Sequence, residues 1–285
     1  LCEIVSALLS YSFYILVWTK IKKESKEKQA IFLRQSLEKL GSVFIKFGQM
    51  LALRPDFLSD IYCNELYKLL DNVPPFPKHF VEEIINRELN STTSELFLKF
   101  DFDPIASASF AQVHKSHLKD GSIVAVKVQR PNIKKNVDSD LLLLKKIAFI
   151  IDVTSKPANK MIKIVEEFEI WTQDELDYKL EADNIERFND LQKIIKDDIR
   201  GPKVYQKYST KKVLVMEYID GFSLSQIIQA RRDKDVTILN KLKSLDFDGK
   251  EVVNKLIRNT LEMSHINGFF HADPHPANVI FNEKG

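Results

Sequence analysis

The chain has 285 residues, of which 44% are hydrophobic and 29% are charged, a composition typical of globular proteins. This length is sufficient for two lobes, or for a pair of lobes with an extension. The formal net charge of +2, without lysine and arginine clusters interleaved with aromatic residues, excludes a general nucleic-acid-binding protein. Cys2 and Cys63 are the only cysteines, which argues against a disulfide framework or a zinc site and favours a reducing compartment.

The first segment, Leu1 to Trp18, is almost wholly apolar and close to the minimum length of a membrane span. Glu3, Ser6 and Ser10 recur in it at helical spacing and would form a narrow polar stripe. This pattern predicts an amphipathic helix that lies on a surface, either of the protein itself or of a bilayer. A lysine-rich stretch follows over residues 20–28, and both a solvated helix face and attraction to anionic lipid stay open for it.

The next part of the chain has the apolar spacing of helices. Helices are predicted for Gln29–Leu40, for a second stretch that ends at Leu53 before Pro55, and for Val81–Leu89. The intervening segment Val73-Pro-Pro-Phe-Pro77 predicts a rigid extended linker. A helical extension is therefore expected to precede the remaining part of the protein.

From about Leu96 the pattern changes to that of strands. Strands are predicted for Leu96–Phe102, Gln112–Leu118 and Ile123–Gln129, with a hairpin turn at Asp120-Gly121. In the third strand Lys127 alternates with valines that point to the opposite face. A β-branched strand with one central lysine is typical of phosphotransferases, in which the lysine binds ATP phosphates. The alternative is an edge-strand lysine that limits aggregation.

A candidate phosphate-binding loop joins the first two of these strands. The Ala-rich loop, Ala106-Ser-Ala-Ser-Phe-Ala-Gln112, contains none of the eight glycines of the chain. A Walker A motif and a Gly-x-Gly-x-x-Gly motif are therefore excluded at this position. Alanine leaves the backbone accessible but restricts its geometry, so Ala106, Ser107, Ala108 and Ser109 are expected to bind the nucleotide in an altered pose.

A second candidate site lies near the end of the sequence, in His271-Ala-Asp-Pro-His-Pro-Ala-Asn278. An Asp followed five positions later by an Asn is the spacing of a kinase catalytic loop. Together with Lys127 it indicates phosphoryl transfer, with Asp273 at the attacking group and Asn278 on Mg²⁺. A rival interpretation is that His271, Asp273 and His275 are the metal ligands of a hydrolase.

Four motifs in this order resemble those of the UbiB/AarF family of atypical, protein-kinase-like ATPases. They are Lys46-Phe-Gly-Gln49, the alanine- and serine-rich Ala106–Ser109, Glu175-Leu-Asp177 and the segment His271–Asn278. The resemblance implies an α+β, protein-kinase-like fold with a small antiparallel-sheet lobe, the start of a helical large lobe and a helical N-terminal extension. It divides the chain into residues 1–95, 96–215 and 216–285.

The same resemblance implies roles for further residues. Glu181 is expected to pair with Lys127, and the backbone groups of Glu217 and Ile219 to hydrogen-bond the adenine of ATP. In the kinase pattern another Asp follows the catalytic-loop Asn and holds Mg²⁺. Because the sequence ends at Gly285 without it, the chain is expected to be a fragment that is inactive alone.

The resemblance also implies a regulatory group of four side chains. Lys46 and Gln49, three residues apart on one helical face, are expected to reach over the active site and meet Glu175 or Asp177. This arrangement would occlude large protein substrates and favour ATPase or small-molecule chemistry. Without the resemblance, Lys46 is a surface lysine, and the two acidic residues belong to a solvated face.

The implied function is Mg²⁺-dependent ATP hydrolysis or phosphotransfer that supports ubiquinone or related lipid biosynthesis. The expected partners are a nucleotide, a quinone intermediate or other lipid, a membrane surface and lipid-biosynthesis proteins, with no nucleic acid. The expected location is peripheral, on the cytoplasmic face of a bacterial inner membrane or on an organellar inner membrane. One alternative is a non-catalytic nucleotide-binding scaffold. The other is a small-molecule kinase of the aminoglycoside-phosphotransferase type, and the Lys46 and Glu175 motifs argue against this second alternative.

Overall fold

The computed structural model describes residues 25–69, 73–154, 161–195, 199–271 and 275–282. The predicted amphipathic helix of Leu1 to Trp18 lies outside these residues, as does Asp273. The described residues through Thr92, with Asp101–His114 and Lys127–Asp177, form one compact unit. The second unit contains Thr93–Phe100, Lys115–Val126 and the residues from Tyr178 onward. The chain passes between the units within two strands, and the predicted lobe boundaries stay a prediction.

Among the residues that the structure describes, the first unit begins with four helices, and they include all three helices predicted for this region. Their bounds are α1 (Lys26–Leu40), α2 (Ser42–Ala52), α3 (Asp60–Leu66) and α4 (Lys78–Leu89). Ser25 caps α1 by accepting a hydrogen bond from the backbone N–H of Lys28, and Gly41 ends the helix at a φ of 104°. Residues with a side chain rarely adopt that φ, so the glycine separates α1 from α2.

The described part of the first unit also contains two longer helices, α6 (Ile133–Thr154) and α7 (Met161–Glu175). They pack with α2 and α3 around Phe44, Leu66, Leu141 and Phe168, each of which is at most 1% exposed. Gly48 in α2 is required by this packing. A Cβ atom there would lie 2.4 Å from Leu69 Cδ1, so the glycine permits close contact within a helix rather than a turn.

The small antiparallel sheet follows the predicted strands. Its members are β1 (Phe97–Phe100), β2 (Ala106–Ser107), β3 (Ala111–Leu118), β4 (Ile123–Gln129) and β5 (Val213–Glu217). The order is β1-β3-β4-β5, with β2 paired to β3. The predicted turn is present, because the N–H of Gly121 donates to Leu118 and Gly121 has a φ of 86°. The strand predicted for Leu96–Phe102 is shorter, because a short helix α5 (Thr93–Leu96) leads directly into β1.

Both faces of β4 are covered. Val124, Val126 and Val128 are 0% exposed on one face, and on the other face Ala125 is 6% exposed. Lys127 is half-buried within this second face. Because β4 has β3 on one side and β5 on the other, the alternative of an edge-strand lysine is wrong. Partial burial of a charged lysine in a central strand costs free energy, because the ammonium group loses contact with water. An apolar residue would avoid this cost if the position served only the fold.

The second unit is mainly helical outside its strands. Its helices are α8 (Tyr178–Ile195), α9 (Leu224–Asp233), α10 (Val236–Ser244) and α11 (Gly249–Glu262), and β6 (Phe222–Ser223) pairs with β7 (Ile280–Phe281). Gln192 in α8 and Asn259 in α11 exchange two side-chain hydrogen bonds of 3.1 and 2.8 Å. Both residues are buried, and the reciprocal bonds satisfy polar groups that would otherwise destabilise the fold. Among the described residues, no helix is long and apolar enough to cross a membrane.

Candidate functional site

The Ala-rich loop is the tip of the β2–β3 hairpin. Ser107 pairs with Gln112, and the N–H of Ala108 donates to the carbonyl of Ala111 at 2.9 Å. None of the loop residues has a positive φ. The loop therefore does not need the left-handed conformation that favours glycine, which explains physically how alanine and serine form this turn.

Side chains in the Ala-rich loop differ in exposure. Ala106 and Ala108 are exposed, whereas Ser109 is 1% exposed. The hydroxyl of Ser107 donates to the carbonyl of Val73 at 2.8 Å. Because the hydroxyl of Ser107 already has a structural partner, it is not the expected phosphate ligand. Any phosphate contact from this loop would instead involve the backbone next to the exposed alanines. The role of these four residues in nucleotide binding stays a prediction.

Lys127 follows this hairpin in β4, in the first unit. Glu181 lies in the first turn of α8, in the second unit, and is half-buried. A carboxylate in the first turn of a helix is stabilised by the helix dipole. The ion pair between Lys127 and Glu181 stays a prediction.

The expected contact between Lys46 and Glu175 is present within the first unit. The Nζ atom of Lys46 in α2 lies 2.7 Å from Oε1 of Glu175, the last residue of α7. The side chain of Lys46 is only 14% exposed, and its ammonium group lies 5.0 Å from the ring centroid of Phe110 and 5.9 Å from that of Trp171. Two aromatic rings and a carboxylate therefore stabilise this cation with little help from water.

This cluster touches the Ala-rich loop through Phe110, which belongs to the loop and is 3% exposed. The second carboxylate oxygen of Glu175 is buried and has no hydrogen-bond partner among the described residues. Such an oxygen is costly unless a further donor reaches it. Lys46 and Glu175 thus form a charged contact beside the candidate phosphate loop, and its regulatory role stays a prediction.

The other two members of the predicted regulatory group have different contacts. Gln49 donates to the carbonyl of Leu69 at 3.1 Å, just before the proline-rich linker. Asp177 is half-buried, and its backbone N–H donates to the carbonyl of Asp174 in a turn after α7. Between these acidic residues, the carbonyl of Leu176 accepts a 2.5 Å hydrogen bond from Gln129 at the end of β4. The strand that carries Lys127 is therefore attached directly to the Glu175-Leu-Asp177 segment.

The candidate adenine-binding segment follows β5 in the second unit. The backbone N–H of Glu217 donates to Lys203, and its carboxylate accepts hydrogen bonds of 2.6 and 2.8 Å from Arg200. This carboxylate raises the pKa of the Arg200 guanidinium. Neither the N–H nor the carbonyl of Ile219 makes a hydrogen bond with the described residues. An unpaired backbone next to a strand end is the kind of group that can bind the edge of a purine.

The predicted catalytic loop is described only in part, because residues 272–274 lie outside the described ranges. Asn278 ends a short 3-10 helix, Pro276–Asn278, and is exposed. His275 caps this helix, since its Nδ1 atom accepts from the N–H of Ala277 at 3.1 Å. The cap gives His275 a structural role that sequence reasoning did not supply. The alternative of a metal site formed by His271, Asp273 and His275 stays a prediction.

His114 belongs to the segment that continues the Ala-rich motif, and the sequence alone assigned it no role. It is 0% exposed in β3, and its Nδ1 atom lies 3.0 Å from the carbonyl of Asp101. Its Nε2 atom lies 3.3 Å from Oε1 of Gln112. Burial lowers the pKa of the His114 imidazole from its ordinary value of 6.5, although the hydrogen bond to Asp101 opposes the shift.

The lowered pKa of His114 predicts a loss of stability in mild acid. Below pH 6.5 the unfolded chain binds a proton at this histidine while the folded chain does not, so the free energy of unfolding falls. The fall is about 1.4 kcal/mol per pH unit until the folded pKa is reached. Chemical denaturation at several pH values between 7.5 and 5 measures it. We expect a weaker pH dependence in His114→Gln, whereas His79→Gln, which changes an exposed histidine, should keep the parental one.

Comparisons with known proteins place this arrangement in a family. A profile of the ABC1 atypical kinase-like domain matches residues 68–285. A Clostridium pasteurianum protein, described by its place in the hydrogenase 1 5′ region, is 38% identical over 99% of this chain and 51% of its own length. The chloroplastic protein ACTIVITY OF BC1 COMPLEX KINASE 8 of Arabidopsis thaliana is 36% identical over 93% of this chain and 34% of its own length. The chain thus spans about half the length of these relatives, or less.

A solved structure supports the same assignment. Rv3197 of Mycobacterium tuberculosis, determined in complex with erythromycin, has 28% sequence identity and a TM-score of 0.56. The similarity covers 93% of this chain and 64% of Rv3197. Together with the profile match, it confirms the predicted α+β, protein-kinase-like fold and the predicted atypical kinase family. The chain belongs to the ABC1 atypical kinase-like family.

Proposed function

We propose that the protein binds MgATP and catalyses its hydrolysis or the transfer of its terminal phosphoryl group. The observation that carries this proposal is the position of Lys127. It is half-buried in a central strand that directly follows the Ala-rich hairpin. In kinase-like folds this is where a lysine binds the nucleotide phosphates.

The other residues of the site have complementary roles in this proposal. Backbone groups of Glu217 and Ile219 bind adenine, and Glu181 orients Lys127. Asp273 positions the attacking group by accepting its proton. The side-chain oxygen of Asn278 suits Mg²⁺, which prefers oxygen ligands and usually binds through few protein groups together with phosphate oxygens. When bound, the metal neutralises the charge that develops on the phosphoryl oxygens.

The position of Lys46 supports a restriction on the substrate. Its ammonium group is fixed between Glu175 and the ring of Phe110, beside the candidate phosphate loop. We propose that the Lys46–Glu175 contact limits access by large protein substrates. Gln49 and Asp177 belong to the same regulatory group in this proposal. Hydrolysis of ATP or phosphorylation of a small molecule is favoured instead.

The physiological setting that we propose follows from the family resemblance. The protein supports the biosynthesis of ubiquinone or a related lipid. It acts peripherally on the cytoplasmic face of a bacterial inner membrane, or on an organellar inner membrane, together with lipid-biosynthesis proteins. Profiling of isoprenoid quinones and their intermediates in a deletion strain tests this setting. Unchanged quinone and lipid pools would contradict it.

Release of phosphate from ATP by the full-length protein tests the proposed activity. We expect turnover in the presence of Mg²⁺ and its loss when the metal is chelated, because phosphoryl transfer depends on charge neutralisation by the metal. Binding of MgATP without turnover would favour the nucleotide-binding scaffold. Binding of neither MgATP nor MgADP would refute both. Efficient phosphorylation of aminoglycosides would favour the small-molecule kinase.

A further inference from the structure

Arg130, the residue that follows β4, joins two segments that are distant in sequence. Its Nε atom donates to the carbonyl of Ala108 at 2.9 Å, and its Nη2 atom donates to the hydroxyl of Ser107 at 2.9 Å. The same Nη2 atom donates to the carbonyl of Pro74 at 2.9 Å and, at 3.4 Å, to that of Val73. One guanidinium group therefore binds both the Ala-rich loop and the proline-rich linker (Val73–Pro77).

Further contacts strengthen the connection between the loop and the linker. The hydroxyl of Ser107 donates to the carbonyl of Val73, and Gln112 donates to that of Phe76 at 3.3 Å. The guanidinium carbon of Arg130 lies 5.5 Å from the ring centroid of Phe76. Prolines in the linker have no N–H group and cannot pair as a strand, so its carbonyls need donors from elsewhere. Arg130 supplies them.

These contacts fix the direction of an amide group in the loop. In a planar trans peptide the carbonyl and the next N–H point in opposite directions. Because Arg130 holds the carbonyl of Ala108, it also fixes the orientation of the peptide group that joins Ala108 to Ser109. Backbone amides are the groups with which a loop binds phosphate. The loop has no glycine, so its backbone has few alternative conformations, and external contacts of this kind can select one of them.

We propose that Arg130 is a positioning residue that holds the Ala-rich loop in its nucleotide-binding shape by clamping it to the proline-rich linker. This inference rests on the proposed function, since it requires the loop to contact the nucleotide. An arginine is needed because its planar fork of donors reaches several acceptors in fixed directions. A lysine at this position keeps the charge and loses the fork.

The test compares variants of the full-length protein by hydrogen exchange and by calorimetric titration with MgATP and MgADP. In Arg130→Lys we expect faster amide exchange over residues 106–112 without nucleotide and a dissociation constant for MgATP raised by roughly tenfold. Ser107→Ala removes one acceptor of the clamp and should act in the same direction with a smaller factor. It keeps the inference testable if Arg130→Lys does not fold.

Arg34→Lys is the matched control. Arg34 also lies in the first unit, with its guanidinium group bonded to Glu65 at 2.8 Å and to Glu38 at 2.5 Å. We expect this change to leave both loop exchange and nucleotide affinity unaltered. A cycle with Ala108→Gly separates positioning from general stability. If Arg130→Lys and Ala108→Gly act independently, the dissociation constant of the double variant should equal the product of the two single effects to within about twofold. If both act on the loop, the double variant should deviate from that product by more.

Three results would overturn the inference. They are unchanged exchange in the loop, faster loop exchange with unchanged nucleotide affinity, and faster exchange throughout the first unit without an additional effect in the loop. Lys127→Ala, measured in parallel, distinguishes failure of the Arg130 clamp from failure of the proposed nucleotide site. If Lys127→Ala weakens nucleotide binding while Arg130→Lys and Ser107→Ala do not, only the clamp fails. If none of the three weakens it, the proposed nucleotide site fails.

Discussion

Replacement of Lys127 by alanine is expected to remove nearly all ATP turnover by the full-length protein and to weaken the binding of MgATP. The lysine is the one cation in β4, and its neighbours on the same face, Ala125 and Gln129, are buried. A charged group that is preorganised in a poorly hydrated site stabilises a phosphoryl transition state strongly. Loss of one such donor reduces turnover by about 10²- to 10³-fold. Phosphate release and titration with MgATP measure the two effects.

Lys99→Ala is the matched control, because Lys99 is an exposed lysine in β1 of the same sheet. It should retain parental turnover and affinity. Unchanged turnover in Lys127→Ala would remove the assignment of the phosphate-binding lysine. The predicted pairing with Glu181 has its own test, in which Glu181→Gln lowers turnover and the double variant is no worse than the more damaging single variant. Fully additive losses would show that the two residues act separately.

Local sequence signals predicted the secondary structure of this protein well where one residue type has one physical consequence. Gly41 ends a helix at a positive φ, and Asp120-Gly121 forms the expected turn between β3 and β4. Alternation in β4 correctly assigned the valines to one face. It did not reveal that the opposite face is also covered, because burial of a strand on both sides depends on what the distant parts of the chain place against it.

The candidate site was harder to predict from the sequence than the secondary structure was, because it depends on contacts between residues that are distant in the chain. Lys46 and Glu175 are 129 residues apart, and no periodicity links them, so only the family resemblance predicted their contact. Gln49 was grouped with them on one helical face, but it donates to Leu69 instead. The roles of Arg130 and His114 were not predicted, because each side chain hydrogen-bonds to backbone carbonyls of another segment. Every residue has a backbone carbonyl, so the sequence does not show which one a side chain will contact.

The contact between Lys46 and Glu175 is expected to matter for stability as well as for activity. Replacing Lys46 with methionine keeps most of the side-chain volume and removes the charge. The carboxylate of Glu175 then loses its 2.7 Å partner, and its second oxygen already has no partner among the described residues. Because Glu175 is 31% exposed, water compensates in part, so we expect the free energy of unfolding to fall by about 1–3 kcal/mol.

A second ion pair on α7 provides the control. Lys145 lies 2.5 Å from Glu169, and the two side chains are 35% and 33% exposed. Solvent screens this pair more than that of Lys46, whose side chain is 14% exposed. Lys145→Met should therefore cost no more than about 1 kcal/mol. Chemical denaturation followed by circular dichroism compares the two variants in the same unit of the protein.

The double variant Lys46→Met with Glu175→Gln decides whether the cost comes from an uncompensated charge. Removing both charges leaves no unpaired carboxylate, so part of the lost stability should return. If the double variant is as unstable as the sum of the single variants, the packing of Lys46 against Phe110 and Trp171 is the main contribution. Turnover of ATP measured on the same variants separates regulation from support of the fold. A regulatory contact changes turnover in Lys46→Met but not in Lys145→Met, whereas a purely structural contact leaves the turnover of the folded fraction the same in both.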